Sequence, residues 1–379
     1  MSRFWSFRAL DTLFIRDGTP FHRGEEGASQ PKSLFPPTMK TLQGAIRTAL
    51  ACKQGWKPSQ DPRKSNPLPE GLGSDNDLGC LRFKGPYLRY QGKRLYPAPL
   101  LLFGKKDEKG WDLTRLAPGQ SVYCDLDHTK ELRLPKLVNR IEDGDLLAVW
   151  LTATGLKQVL AGGQPSGDEI YLTEDLWKEE KRIGIARDNQ TRKAEDHHLY
   201  TVQHIRPDQE LEILVYVEGI PDEWHPTGEF GIPLGGEGRS AHVQVLGEEE
   251  TNQLLEEDFG ALPDIVLTGE SKIRFTVSLI TPGYYENTKD VIRLGPPKIP
   301  GECVSASIGK VMQLGGWNLK EGRPRPLLSL IPAGSTWFFE ISNESKAAVE
   351  ALHQTLTGDM QEYGMGEIVI GIWKEEGVT

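Results

Sequence analysis

Apolar residues recurring at every second position mark most of the strands in this chain. Leu211, Ile213, Val215 and Val217 interleave with Glu212, Leu214, Tyr216 and Glu218, the period-two pattern of a half-buried strand. Ile273, Phe275, Val277 and Leu279 repeat it against Lys272, Arg274, Thr276 and Ser278. Shorter faces occur at Ala241, Val243 and Val245, at Trp337, Phe339 and Ile341, and at Ile368, Ile370 and Ile372. Residues 4–14, rich in aromatic and aliphatic side chains, predict a first strand that ends in the turn Arg16-Asp17-Gly18-Thr19-Pro20. Leu42, Ala45, Ile46, Ala49 and Leu50 instead follow i, i+3, i+4, i+7, i+8. That spacing predicts an amphipathic helix with Thr38 at its N-cap. The apolar run near Leu146–Leu160 predicts a second helix, and Val349, Leu352 and Leu356 a third over about 344–356. Residues 80–103 read as a hairpin turning at Gln91-Gly92-Lys93, and the Pro-, Gly-, Ser-, Asn- and Asp-rich stretch 57–78 as a mobile insertion.

Two glycine-rich turns sit at matching places in this pattern. Gly235-Gly236-Glu237-Gly238-Arg239 precedes the strand at 240–246, and Gly364-Met365-Gly366-Glu367 precedes the last strand. Each follows a strand and then a helix-sized segment. The order β-α-β-β-α-β, read twice, predicts an α+β protein of two ferredoxin-like (RRM-like) domains with long insertions and Gly-rich loops. The expected division is 1–250 with insertions over about 57–180, an acidic linker at 251–270, and 271–379. A Gly-rich turn leaves backbone N–H groups uncovered and lets another backbone approach closely. Two of them suggest a duplicated fold that cradles phosphates; plain tight turns are the simpler alternative.

Composition narrows the setting. A chain of 379 residues allows about two domains of ordinary size. No apolar run nears the roughly 20 residues that cross a bilayer. The start Met-Ser-Arg-Phe-Trp lacks a signal-peptide pattern, so a cytoplasmic protein without membrane association is expected. Cys52, Cys80, Cys124 and Cys303 are far apart with no CxxC pairing, which argues against a disulfide scaffold or zinc site. The formal net charge of −10 speaks against a polyanionic partner until its distribution is read. Residues 207–270 hold sixteen acidic residues and one basic residue, Arg239, while the other 315 carry 43 basic against 38 acidic. Residues 1–50, 181–206 and 309–325 are locally basic. Local fields govern polyanion binding more than the total, so RNA is not excluded.

Several segments resemble a known family. Phe7-Arg8-Ala9-Leu10-Asp11-Thr12-Leu13-Phe14, Arg16-Asp17-Gly18-Thr19-Pro20-Phe21 and Phe35-Pro36-Pro37-Thr38 look like the Cmr branch of the repeat-associated mysterious proteins (RAMPs). So do Gly235–Arg239 and Gly316-Trp317-Asn318-Leu319-Lys320-Glu321-Gly322-Arg323-Pro324-Arg325-Pro326. Within that branch the chain is most similar to the third subunits of the type III-B CRISPR effector, the Cmr complex. The resemblance spans nearly the whole chain, although 57–78 and the middle are not distinctive and the final Gly turn is sparser than the fullest RAMP Gly-rich loop. It implies a non-catalytic subunit, without metal or cofactor, of a hetero-oligomeric ribonucleoprotein in antiviral defence. Such subunits grip the 5′ repeat-derived tag of the crRNA, pair with the large polymerase-like subunit and adjoin a RAMP backbone subunit.

The residues suit that role. RNA held without reading a duplex needs amides and cations on phosphates, with aromatic or guanidinium planes for splayed bases. Gly235, Gly236 and Gly238 offer amides beside Arg239, whose planar fork suits phosphate; Gly364 and Gly366 are the second-turn counterparts. Arg16 and Arg23 flank the loop after the first strand, and Arg187, Arg192 and Lys193 lie in a projecting hairpin at 186–193 with Tyr200 beyond. Trp317, Arg323 and Arg325 divide between a protein interface and an RNA contact. Exposed arginines are ordinarily solvated or weakly ion-paired, and Arg239 has Glu237 and the acidic linker nearby in sequence. Two other readings stand beside this one. A metal-independent endoribonuclease processing precursor crRNA would need a general acid or base, for which His22 is the first candidate, then His197-His198 and His204. No P-loop, metalloprotease or nucleophile-elbow motif is present. A purely structural adaptor would dock through the acidic 207–270 region.

Overall fold

The computed structural model of the chain describes residues 2–18, 32–59, 66–74, 77–124, 127–187, 194–256, 272–318, 321–342 and 346–373. They form a mixed α+β protein with mostly antiparallel sheets. The chain divides into two compact units, each gathered from three stretches. The first takes Met1–Gly92, Glu174–Thr251 and Gln313–Leu328; the second takes Lys93–Thr173, Asn252–Met312 and Ser329–Thr379. The units therefore interleave along the chain, and residues 93–173, grouped with the N-terminal half by sequence, belong to the unit that holds the C-terminal sheet.

In the first unit the Arg3–Ala9 strand is central. It runs antiparallel to Leu211–Glu218 on one side, with Trp5 opposite Val215, and to Ser240–Val245 on the other, with Phe7 opposite Val243. Arg82–Tyr90 and Glu229–Pro233 flank these two. Phe4, Trp5 and Phe7 are all buried, so both faces of the central strand are covered. Each such side chain contributes about 1.5–3 kcal/mol on burial. The predicted helix spans Met39–Lys53 and buries Leu42, Ala45, Ile46 and Leu50; Thr38 stands at its N-cap but makes no side-chain cap bond. Arg47 leaves the same helix to bond the carbonyls of Leu72 and Ser74, both at 2.7 Å. Leu72 and Leu78 are buried, so the parts of the 57–78 stretch around them are fastened to the core rather than projecting.

The segment after Leu211–Glu218 departs from expectation. It holds a single 3-10 turn, Asp222–Trp224, and then the strand Glu229–Pro233, with no helix of the size predicted. Pro221, Pro226 and Pro233 withhold amide donors, while Phe230 and Ile232 supply a two-residue period. Gly235–Arg239 is consequently a hairpin connection between paired strands.

The second unit centres on a four-stranded sheet in the order Glu302–Ser307, Thr336–Ser342, Lys272–Leu279, Ile368–Ile372. Ile273, Phe275, Val277, Leu279, Trp337, Phe339, Ile368 and Ile370 form its core with Tyr285, Val291 and Val349. The alternation legible in the sequence thus names the core face. The helices are shorter than predicted. Lys346–Glu350 replaces the expected 344–356, and of 146–160 only Ala153–Leu160 is helical, behind the strand Trp150–Thr152. Thr152 stops the strand by accepting the Gly155 N–H at 3.2 Å as N-cap.

Each unit also carries a long ribbon: Trp177–Arg187 with Ala194–Pro207 in the first, and in the second Gly110–Cys124, which pairs with Leu102–Asp107 through its first half and with Asp127–Leu137 through its second. Of the hairpin expected at 186–193, residues 188–193 lie outside the described residues, and the flanking strands pair up to Arg187 and Ala194. The acidic stretch begins as a helix, Glu248–Glu256, with Glu248, Glu249 and Glu250 in its first turn, where the helix dipole favours acids. Buried Thr251 accepts the Phe4 N–H at 3.4 Å and Glu250 pairs with Arg89 at 3.2 Å. Residues 251–256 of the expected linker are therefore helical, and 257–271 lie outside the described residues.

Candidate nucleic-acid interface

In the first unit the family-like segments meet around residues 10–18. The Leu13 N–H donates to the Ile205 carbonyl at 2.8 Å and the Leu13 carbonyl accepts the Ile205 N–H at 2.9 Å, stitching this segment to the root of the ribbon. The Gly236 N–H donates to Phe14 O at 2.7 Å, and the Gly18 N–H to Gln313 O at 3.2 Å. A Cβ at Gly235 would lie 2.4 Å from the Phe14 carbonyl oxygen, at φ +83°. The glycine there is required by that close approach. The amides of Gly236 and Arg239 are likewise spent inside the protein, the latter on Gly236 O at 3.2 Å. The expectation of a row of free amides is corrected to an open apex at Glu237-Gly238, where a Cβ on Gly238 would meet nothing within 4 Å.

The chemistry lies instead in side chains on this hub. Asp11 accepts Arg206 Nη1 on Oδ1 at 2.8 Å, and Arg182 Nη2 and Arg239 Nη1 on Oδ2 at 3.2 and 3.1 Å. Glu180 accepts Arg182 Nε at 2.7 Å and Arg206 Nε at 2.6 Å. The ribbon register explains the convergence. Glu180 faces His204 and Arg182 faces Val202 across the pair, so alternate residues on both strands share one side. The Thr12 N–H, then Arg206 and Arg182, hold the Asp11 carboxyl down at about 2. Arg206 and then Arg182 lower Glu180 in the same way. Three guanidiniums against two carboxylates leave one positive charge in excess.

Of the other predicted residues, Arg16 is exposed beside this hub, bridged through its backbone to Ser33. Arg187 ends the first ribbon strand, paired with Ala194. His22, Arg23, Arg192 and Lys193 lie outside the described residues, as do the side chains of Arg187, His197, His198 and Tyr200. Trp317 and Arg323 belong to a small hairpin, Trp317-Asn318 with Arg323-Pro324, in which Trp317 is 55% exposed and Arg323 pairs with Glu321. The Arg325 N–H donates to Gly316 O at 2.9 Å, closing the base of that hairpin. His204 is buried, within 3.0 Å of Thr12 Oγ1 and stacked on Phe14. Burial, with the nearby Arg239 and Arg182 charges, keeps its imidazole neutral by lowering its pKa. It serves packing.

The second Gly turn does not fit a phosphate cradle. Gly364 and Gly366 are buried. Their N–H groups donate to Gln361 O at 2.8 Å and Pro282 O at 3.0 Å, and the Glu367 N–H donates to Thr281 Oγ1 at 2.9 Å. A Cβ on Gly366 would lie 2.0 Å from Thr357 O. This turn is glycine-rich because backbone packs on backbone.

In the sequence Asp11 stands within a family-like segment, and Glu180, Arg182 and Arg206 carry no motif of their own. Arg182 and Arg206 lie in the basic segment 181–206, and only the pairing of the two ribbon strands puts them on one face. Among the described residues no group of three or more His, Cys, Asp or Glu is gathered for a metal, and no helix is long and apolar enough to cross a membrane.

Comparison with known proteins agrees with this assembly of motifs. A chain in the cryo-EM structure of the Type III-B Cmr-beta bound to cognate target RNA and AMPPnP, state 1, is similar in fold. Its TM-score is 0.51 at 15% identity, covering 89% of this chain and 86% of that one. A chain of the Type III-B Cmr-beta bound to cognate target RNA gives 0.52 at 14% identity, covering 97% and 96%. No curated protein matches the chain. The family model for CRISPR-associated protein (Cas_Cmr3) matches residues 5–373, nearly the full length, and the chain belongs to that family.

Proposed function

We propose that this chain is a non-catalytic, RNA-binding subunit of a type III-B CRISPR effector. In this reading it grips the 5′ tag of crRNA and docks the large polymerase-like subunit beside a RAMP backbone subunit. The observation that carries the RNA contact is the arginine cluster of Arg182, Arg206 and Arg239 at the root of the first ribbon, with its excess of cation over carboxylate. Family membership, and similar chains in Cmr-beta assemblies bound to target RNA, support placing it in such a complex. The fold reading is two ferredoxin-like domains. Taking Ser240–Val245, Arg3–Ala9, Leu211–Glu218, Arg82–Tyr90 in one unit and Ile368–Ile372, Lys272–Leu279, Thr336–Ser342, Glu302–Ser307 in the other, both sheets have the order fourth-first-third-second, which supports a duplication. Trp5, Phe7, Thr276 and Ser278 are buried, so neither sheet offers an open stacking surface at its centre, and contact through ribbons and loops is favoured.

The test is crRNA binding by the complex purified through this chain. Arg206→Ala should weaken binding of tagged crRNA about tenfold at low salt, the value of a lost charge-assisted bond. It should also flatten the salt slope by roughly 0.7 for one single-strand phosphate, so that the deficit narrows as salt rises. Unchanged binding by a folded variant would sink the RNA assignment. Cleavage of repeat RNA by the purified chain, abolished by His22→Ala, would overturn the non-catalytic part.

A further inference from the structure

Charge pairing alone does not explain the carboxylate at the centre of the arginine cluster. The second unit shows what a structural fastening looks like. Glu340 receives Arg133, Arg274 and Lys272 at 3.2–3.4 Å, but its side chain is 13% exposed and that of Arg274 is 6% exposed. Both guanidiniums there lie over the buried Trp373 ring, 5.6 and 5.2 Å from its centroid. Glu340, Arg133 and Arg274 are packed and covered there, with Lys272 at the exposed edge. Asp11 is not: its side chain is 45% exposed and that of Arg206 is 46% exposed.

Donors are also left over. Among the described residues, Arg182 and Arg206 each bond through Nε and one Nη only, and Arg239 through Nη1 only. The Arg239 Nε is buried and has no acceptor. Three guanidiniums from three segments thus converge at 2.8–3.2 Å on one small, exposed oxyanion, with N–H capacity to spare. A phosphodiester presents oxygens of the same kind at the same distances, and guanidinium forks suit it as well as a carboxylate.

We propose that Asp11 is a built-in competitor for an RNA phosphate: it occupies the oxyanion position between Arg182, Arg206 and Arg239, and a phosphodiester binds by taking those donors over. This rests on the RNA-contact reading above and adds its regulation. The carboxylate keeps the guanidiniums ordered, so little side-chain entropy is lost when RNA arrives. Its negative charge also opposes any polyanion that lacks other contacts. An RNA held elsewhere on the subunit displaces Asp11; a stray strand does not. The site therefore trades affinity for discrimination.

The experiment compares native, Asp11→Asn, Asp11→Glu and Arg206→Ala complexes. Each is assayed on tagged crRNA and on an unrelated single strand of equal length, across a salt series. Asp11→Asn should tighten both RNAs several-fold at low salt, the unrelated strand more. The salt slope of the unrelated strand should steepen by roughly 0.7, one further single-strand phosphate, while that of tagged crRNA, which already displaces Asp11, should hold. Asp11→Glu, which keeps the charge, should hold the native salt slope. If Asp11→Asn weakens binding as Arg206→Ala does, or leaves it unchanged while thermal denaturation shows an intact fold, Asp11 only positions the arginines and the competitor is excluded. If Arg206→Ala is the variant without effect, the RNA contact itself fails.

Discussion

Gly366 and His353 show how much a single residue's surroundings decide. At Gly366 φ is +78° and a Cβ would lie 2.0 Å from the Thr357 carbonyl oxygen. Gly366→Ala should cost about 2–4 kcal/mol in chemical denaturation, because backbone rather than a movable side chain must give way. The Gly238→Ala change, with open space around it but φ +65°, should cost only about 1 kcal/mol. His353 accepts the Ile370 N–H on Nδ1 at 3.0 Å, and burial lowers its pKa to about 4. The folded state holds the neutral ring while the unfolded chain protonates near 6.5. Its contribution to stability is therefore full above about pH 6.5 and is lost progressively as pH falls toward 4. Buried His204 acts with the same sign. Thermal melts from pH 7 to 4 should show this slope, reduced in His353→Gln; a variant with the native pH profile would refute the assignment.

At the scale of elements, the two ribbons are fastened by different chemistry. The Glu340 cluster joins the Gly110–Cys124/Asp127–Leu137 ribbon to the second sheet through Arg133, and the carboxylate is nearly enclosed. Removing one partner of a buried pair leaves its cations desolvated, so Glu340→Ala should destabilise by about 3 kcal/mol. Glu340→Gln should recover part of that loss by keeping the acceptor oxygen. Equal stability of the alanine variant and the native chain in urea would show that water screens the cluster after all. The Asp11 cluster at the other ribbon is exposed, and exposed pairs contribute little individually. Arg206→Ala should accordingly leave the melting temperature within about 2 °C of native while changing RNA binding, a separation that the Glu340 variants should not show.

For the whole molecule, the uneven charge bears on assembly. The acidic region does not form one loose linker. Glu248 and Glu250 are engaged with Arg3 and Arg89, leaving Glu249 and Glu256 as the reversible charges on the described helix. If this face docks a basic surface on the large subunit, steering between opposite charges is screened over about 8–10 Å at moderate salt. Glu249→Lys with Glu256→Lys should then slow association in stopped-flow or biolayer measurements without lowering stability. Equal association rates for variant and native chain would exclude docking through this helix.

What the sequence determined by itself is local. Period-two runs located the strands at 211–218, 272–279, 336–342 and 368–372, and the 3.6 period located Met39–Lys53, because alternation and helical phase need only neighbouring residues to declare which face is buried. The family motifs were legible for the same reason. Only the tertiary structure decided what depends on distant chain. Gly235 and Gly366 look alike in sequence, yet each is required by a carbonyl outside its own turn, Phe14 O from the segment after the first strand in one case and Thr357 O in the other. The segment 219–234 became a turn and a strand because Ser240–Val245 offered it an edge to pair with. Asp11, Glu180, Arg182, Arg206 and Arg239 come from four separate places in the chain. Ion pairing depends on distance in space, and no period or motif along the chain encodes it.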